Sequence, residues 1–169
     1  MQNLNYGVIG NCSTAALISE KGAIEWLCFP EFDSPSVFAA ILDRQKGGHF
    51  GFKVTSDYKV TQSYVPHTNI LSTHFESEEG AFDVVDFMPC YPTSDGKDFY
   101  RPAEIYRYIR WAKGRPRMKV DYRPAPNYAR GKTIYNVTSQ YVETYSSVEN
   151  KDRQYLYSSL DLKKVVNHD

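Results

Sequence analysis

The segment that decides the fold is AALISEKGAIEWLC, residues 15–28. Two short apolar-rich runs in it flank the polar triplet Glu20-Lys21-Gly22. Glycine adopts positive φ without a steric penalty, so Gly22 is suited to close a tight turn between two paired strands. The segment therefore predicts a β-hairpin, and residues 6–9 add a third strand before it.

Strand-type runs recur along the rest of the chain. Aromatic residues make up 15% of the sequence, including 14 tyrosines, and this composition favours pleated, half-buried surfaces. The runs lack the alternation of strands and helices that is typical of parallel sheets. We therefore predict an all-β fold, an antiparallel two-sheet β-sandwich that forms a single domain over residues 1–169. The strand candidates after the hairpin are 49–54, 58–64, 69–77, 81–88, 105–111, 117–122, 133–145 and 154–162.

One short helix is predicted near residues 35–42. Ser34-Pro35 has the form of an N-cap followed by proline at the first helical position. Val37, Phe38, Ile41 and Leu42 then share one helical face.

The charge distribution is uneven although the formal net charge is zero. Residues 1–100 hold 13 acids and 6 basic residues, whereas residues 101–132 hold 10 basic residues and 2 acids. Tyrosines and a tryptophan among these arginines would suit a single-stranded nucleic acid. The two-residue period from Arg115 to Arg123 favours instead the solvated outer face of a sheet, with Met118, Val120 and Tyr122 facing inward. We therefore expect no nucleic-acid partner.

The sequence contains no recognisable catalytic or metal-binding motif. Its histidines show no HxH or HExxH spacing, and its three cysteines are too widely spaced for a zinc site or a disulfide framework. We expect no metal and no cofactor, and three reduced, buried thiols. Carboxylates are the remaining candidates for chemistry, since glycoside hydrolysis needs two of them. Glu25, Asp33, Asp43 and Asp86 each have a structural explanation, so no catalytic residue is assigned.

The N-terminal sequence has no basic segment followed by an apolar run, and no stretch is long and apolar enough to span a membrane. We therefore expect a cytoplasmic protein without a membrane partner.

Several runs of the sequence match a known family in order. The first and most specific is YGVIGNCSTAALISEKGAIEWLCFPEFDSPSVFAAILD at 6–43, which is followed by GGHF at 47–50. The later runs are YVPHTNILSTHFES at 64–77, VVDFMP at 84–89 and EIYRYIRWAKGRPRMKVDYRPAPNYARG at 104–131. Together they resemble the N-terminal domain of glycoside hydrolase family 15, the glucoamylase and trehalase-like enzymes.

The resemblance implies a large β-sandwich packed against an (α/α)6 barrel. It also implies hydrolysis of α-glucosides with inversion, by two glutamates of that barrel. No run of amphipathic helices follows residue 145, so we expect a non-catalytic N-terminal part of a longer enzyme. Its partners would be the barrel of the same parent chain and, in the full enzyme, the α-glucoside. The alternative is a stand-alone carbohydrate-binding β-sandwich module.

The segment after the hairpin is the candidate interface. Its large apolar side chains are costly to leave in water, at about 1.5–3 kcal/mol each when fully buried. We expect it to lie on the seam with the barrel, near the mouth where sugar enters, and an uncovered seam would permit self-association. The candidate residues are Trp26, Phe29, Pro30, Phe32, Asp33, Ser34 and Pro35.

A second loop departs from the family pattern. Where the family reads close to Pro-Arg-Phe-Asp-Tyr-Gly-Arg, residues 124–130 read PAPNYAR. The departure leaves the specificity of the parent enzyme open.

Overall fold

The computed structural model describes residues 4–54, 58–148 and 152–166. These ranges contain fifteen strands and one short helix. The elements are β1 (Tyr6–Gly10), β2 (Ala15–Ser19), β3 (Ile24–Cys28), β4 (Ser36–Phe38), β5 (His49–Val54), β6 (Lys59–Tyr64), β7 (Leu71–Glu76), β8 (Gly80–Phe87), β9 (Tyr91–Pro92), β10 (Phe99–Tyr100), β11 (Tyr106–Gly114), β12 (Met118–Arg123), β13 (Thr133–Val137), β14 (Tyr141–Ser146), β15 (Gln154–Tyr157) and α1 (Leu162–Val166).

All strand pairs described are antiparallel, which confirms the predicted all-β sandwich. The first sheet has the order β1-β2-β3-β5-β12, with β4 added beside β3, and the second sheet has the order β11-β8-β7-β6. Strands β13, β14 and β15 form a third sheet, and β9 and β10 form a two-stranded ribbon. Phe75 and Phe82 of the second sheet stack at 4.6 Å and meet Phe52 of the first sheet, so the core lies between these two layers.

The predicted hairpin is confirmed. Strands β2 and β3 pair, and Gly22 has a φ of +73° in the turn between them. Ser19 N donates to Ala23 O at 2.8 Å, and Gly22 N donates to Ser19 O at 2.8 Å. Local sequence preferences therefore fix this part of the fold.

The predicted position of the helix is wrong. Residues 36–38 form β4, which pairs with β3, and turns follow it. Ala39 N and Ala40 N donate to the carbonyls of Gly47 and Gly48, so long-range hydrogen bonds replace the helical ones. Leu42, a member of the predicted apolar face, is 72% exposed.

The single helix among the described residues lies near the other end of the chain. It begins at Leu162, inside the last predicted strand, and Val165 packs on the core. The predicted strand 133–145 is in fact the hairpin of β13 and β14, with Thr138 N donating to Tyr141 O at 2.9 Å in its turn.

A buried arginine of the second sheet forms an ion pair within that sheet and hydrogen bonds to the first sheet. Arg107 of β11 donates to both carboxylate oxygens of Asp86 of β8, at 2.7 and 3.1 Å. The same guanidinium donates to the carbonyls of Phe50 in β5 and Gly22 in the first hairpin, and lies 4.7 Å from the Phe50 ring centroid. The side chains of Arg107 and Asp86 are 5% and 0% exposed. Arg107 therefore links the second sheet to the first.

The inward and outward faces predicted for 115–123 are confirmed for the apolar residues. Tyr122 is buried, and Met118 and Val120 pack on the core. Asp121, assigned to the solvated face, is buried instead.

The Asp121 carboxylate is enclosed by three basic groups. It lies 2.9 Å from His49 Nε2, 3.1 Å from Lys53 Nζ and 2.7 Å from Arg123 Nε. Burial raises the pKa of Asp121, but the hydrogen bonds from His49, Arg123 and Lys53 outweigh it and hold this pKa well below its usual range.

The cysteines are free, but the prediction that all three are buried is wrong. Only Cys28 is buried, whereas Cys12 and Cys90 are exposed.

Candidate functional site

The loop between β3 and β4 carries most of the residues proposed as an interface. Phe29 is half-buried against the core, whereas Phe32 is 61% exposed and Pro30 and Asp33 are also exposed. Ser34 and Pro35 are half-buried. Trp26 lies within β3 rather than in the loop, and it is half-buried.

Hydrogen bonds fix this loop in place. Phe32 N donates to Ser13 O at 3.0 Å, which ties the loop to the turn after β1. Ser34 does not cap a helix, because its Oγ accepts from Glu31 N at 3.1 Å and its N donates to Glu31 O at 3.2 Å. The Phe32 ring is therefore presented to solvent by an ordered turn.

A second loop lies beside the first. Asn127, Tyr128 and Ala129 all have positive φ, between 54° and 56°. Each non-glycine residue in this conformation costs roughly 1–2 kcal/mol, and such strain is concentrated at functional sites. Ala125 N donates to Val37 O at 2.9 Å, so β4 holds the strained loop next to the first one.

These two loops form what we call the rim, residues 29–35 and 125–130. Tyr128 is 44% exposed on it, with the Arg130 guanidinium 5.8 Å from the Tyr128 ring centroid. In the sequence, the second loop stands out only by its departure from the family pattern, since a left-handed run without glycine has no recognisable sequence signal.

A cleft of about 740 Å³ opens beside the first loop. Phe29 and Pro30 line it, whereas the other five predicted interface residues do not. Its floor is apolar and includes Phe38, Phe50 and Tyr122 of the first sheet. Residues 103–107 and 152–157 form the remaining walls.

Polar groups and tyrosines also line this cleft. Tyr106 OH donates to Glu104 Oε2 at 3.0 Å, and this hydrogen bond raises the pKa of Tyr106. On the opposite wall, Arg153 Nη1 and Tyr155 OH both donate to Glu143 Oε1, at 2.6 and 3.1 Å. The hydrogen bond from Arg153 lowers the pKa of Glu143. Apolar walls with a few fixed polar groups are typical of small-molecule sites.

Sequence reasoning missed the residues of these walls. They come from 103–107 and 152–157, far from Phe29 in sequence, and only the packing of three different sheets brings them together. The only sequence feature that points to these walls is the alternation of Tyr155 and Tyr157, which is typical of an aromatic face on a strand.

The predicted candidate carboxylates and those that line the cleft have structural partners or are exposed. Asp43 Oδ1 accepts from the backbone N of Gln45 and of Lys46, and so closes a turn rather than a helix. Glu25 accepts from Tyr6 OH at 2.6 Å, and burial together with this hydrogen bond raises the pKa of Tyr6 to about 12. Glu104 and Asp152 line the cleft but are exposed, whereas a general acid depends on burial to retain its proton at neutral pH.

Ion pairs involve part of the basic block at 101–132. Arg107, Arg110 and Arg123 each contact an aspartate. Within the ranges that the structure describes, no three histidine, cysteine, aspartate or glutamate side chains converge on a possible metal position. None of the described helical residues forms a helix with the length and apolar character needed to cross a bilayer.

Residues 5–150, which include both rim loops, match the family described as trehalase-like, N-terminal. The chain belongs to this family. One wall of the cleft, residues 152–157, lies beyond residues 5–150, the range that matches the trehalase-like N-terminal family.

Several relatives of this trehalase-like domain are much longer proteins. The trehalase of Thermoplasma acidophilum is 33% identical over 155 residues, which cover 90% of this chain and 26% of that protein. The trehalase of Thermoplasma volcanium is 36% identical over 132 residues, covering 76% of this chain and 20% of that protein. Trehalase 1 of Sulfolobus acidocaldarius is 51% identical over 85 residues, covering 49% of this chain and 14% of that protein. The chain thus spans about a seventh to a quarter of the length of these relatives. No solved structure matches it.

Proposed function

We propose that this chain is the non-catalytic N-terminal domain of an α-glucoside hydrolase of glycoside hydrolase family 15. A catalytic (α/α)6 barrel in the same cytoplasmic parent enzyme would hydrolyse the sugar with inversion. The family match over residues 5–150 carries the proposal, together with relatives named trehalases that the chain covers only in part. The exposed carboxylates of the cleft support a non-catalytic role.

The rim would pack on the barrel and help to shape the substrate entrance. Phe32 is a large apolar side chain held in water by an ordered turn, so covering it gains free energy without a further ordering cost. The adjacent strained loop supports the same position. Without the barrel, the exposed rim would allow two copies of the domain to associate.

A chimera tests this role. The part of the Thermoplasma acidophilum trehalase that matches this chain is replaced by this chain, and glucose release from trehalose is measured. We expect the chimera to hydrolyse trehalose and the 169-residue chain alone to release no glucose. Turnover by the chain alone would refute the non-catalytic role, and a folded but inactive chimera would refute the contribution to the entrance.

Two substitutions in the chimera locate the entrance. Phe32→Ser is expected to raise KM for trehalose, whereas Leu42→Ser is expected to leave it unchanged. Leu42 is a matched control because it is 72% exposed and lies outside the rim. Equal effects of the two substitutions would contradict the assignment of the rim. Sedimentation of the isolated chain tests self-association, which Phe32→Ser is expected to weaken.

A further inference from the structure

Four aromatic rings form a row on the outer face of the second sheet and the adjoining ribbon. We call Phe87, Tyr106, Tyr91 and Tyr100 the aromatic row. Phe87 of β8 and Tyr106 of β11 are cross-strand neighbours and stack with centroids 5.1 Å apart and planes at 7°. Tyr91 and Tyr100 pair across the ribbon with centroids 5.3 Å apart.

The row faces solvent and not the core. Neighbouring residues in a strand point to opposite faces, so Tyr106 projects away from Arg107, whose side chain is 5% exposed. Tyr91, Tyr100 and Tyr106 are 49%, 54% and 49% exposed. The β9–β10 ribbon lies within the connection between β8 and β11, so the Tyr91–Tyr100 pair follows the Phe87–Tyr106 pair along that connection. The aromatic row therefore comprises two ring pairs, with Tyr91, Tyr100 and Tyr106 exposed and Phe87 half-buried.

The row begins at the cleft. Tyr106 and Glu104 both line the cleft, Phe87 stacks on Tyr106, and Tyr91 and Tyr100 pair with each other on the ribbon. The Glu104 carboxylate accepts from Tyr106 OH through Oε2. A carboxylate has about four lone-pair positions, so Glu104 can accept further hydroxyl groups.

We propose that the aromatic row and Glu104 form a binding site for an α-linked gluco-oligosaccharide. The ring faces stack on the apolar C–H faces of the sugar rings, and Glu104 accepts hydrogen bonds from sugar hydroxyl groups. Tyrosine suits such a ligand because its ring is apolar while its hydroxyl group remains hydrated or hydrogen-bonded. The choice of a glucose-based ligand rests on the proposed function.

A sugar fits this patch better than a polypeptide surface does. Three tyrosine hydroxyl groups and the charged Glu104 are interspersed with the rings. Burying them under an apolar protein surface would leave polar groups without partners, which is costly. The hydroxyl groups of a sugar supply those partners and still allow the rings to stack.

The test measures binding of maltotriose, maltohexaose and trehalose to the 169-residue chain by NMR titration and by tyrosine fluorescence, with cellotriose as the β-linked comparison. We expect maltohexaose to bind more tightly than cellotriose. Tyr106→Ala should weaken this binding about tenfold, because it removes a stacking face and the partner of Glu104. Glu104→Gln keeps the side-chain shape and should weaken binding severalfold. Tyr108→Ala is the matched control, since Tyr108 is 62% exposed on the same face of the same strand but lies outside the row, and it should not change the affinity.

Far-UV circular dichroism establishes that each variant folds. Tyr91→Ala in the exposed ribbon provides an independent test of the row should Tyr106→Ala fail to fold. Absence of binding by the unsubstituted chain would overturn the proposal, as would equal losses in Tyr106→Ala and Tyr108→Ala. Loss of binding in Phe29→Ala but in no row variant would also overturn it, because the sugar would then lie in the cleft. A chimera that loses solubility or domain packing with Tyr106→Ala, without sugar binding by the isolated chain, would identify the row as a protein interface and overturn the proposal.

These results are separable from those of the proposed function. An active chimera without oligosaccharide binding by the chain removes the aromatic-row site alone. Binding with an inactive chimera retains the site and removes the role at the entrance.

Discussion

Replacing Arg107 by methionine should destabilise the domain far more than any change to a surface charge. The substitution leaves the Asp86 carboxylate, which is 0% exposed, without its bidentate partner. It also removes the donors to the Gly22 and Phe50 carbonyls. Breaking a buried pair in this way costs about 3–5 kcal/mol. A chain of this length loses about 2–4 °C of Tm per kcal/mol, so we expect a decrease of roughly 6–20 °C.

Thermal and urea unfolding, followed by circular dichroism, measure this loss. Arg110→Met is the matched control, because Arg110 also pairs with an aspartate of β8 but its side chain is 61% exposed. Its loss should cost about 0.2–1 kcal/mol. Combining Arg107→Met with Asp86→Leu removes both charges and should restore much of the stability. Equal losses for Arg107→Met and Arg110→Met would refute the role of the buried pair.

Three further predictions concern acid stability and backbone conformation. The pKa of Asp121 is lower in the folded chain than in the unfolded chain, so ionised Asp121 stabilises the fold. This stabilisation is present above the unfolded pKa of about 3.9 and is lost as the pH falls towards the folded pKa. Tm measured from pH 6 to pH 3 should therefore fall more steeply for the unsubstituted chain than for Asp121→Asn. Gly47→Ala should destabilise the domain by about 1–3 kcal/mol in urea unfolding, because a Cβ at residue 47 would lie 2.2 Å from Ala39 O. Gly96→Ala is the comparison and should cost about 1 kcal/mol, because φ at residue 96 is +67° but no atom lies within 4 Å of the added Cβ. Ala129→Gly should raise the free energy of unfolding by up to about 1 kcal/mol, because glycine relieves its φ of +55°, and a decrease would contradict the assigned strain.

The sequence predicts best those elements whose pattern and partners are local. The hairpin at 15–28 combines two apolar runs with a glycine in the turn, and its hydrogen bonds join neighbouring residues. The helix near 35–42 was predicted wrongly because spacing alone does not reveal distant hydrogen-bond partners. Gly47 and Gly48 supply those partners, and glycine at 47 allows the two backbones to approach closely. Tertiary pairing thus overrides a helical pattern of only two turns.

Short sequence patterns do not predict which distant segments of the chain come into contact. Asp86 lies near the end of the predicted strand 81–88, and nothing in its sequence neighbourhood identifies Arg107 as its partner. The cleft likewise joins Phe29 to residues 103–107 and 152–157. Its walls are set by the order of strands in three sheets, and a single sequence does not specify that order.

The rim combines two features that lower the stability of the isolated domain. Tyr128 and its two neighbours hold left-handed conformations that glycine would adopt at lower cost, and Phe32 leaves 61% of a large apolar residue in water. The hydrogen bond from Ala125 N to Val37 O places both loops beside the same strand, so the two costs lie on one surface. Selection for stability alone would replace the strained residues and the exposed Phe32 separately, since each lowers stability by itself. Their coincidence is explained if a single partner, the proposed barrel, covers both loops and compensates for both costs.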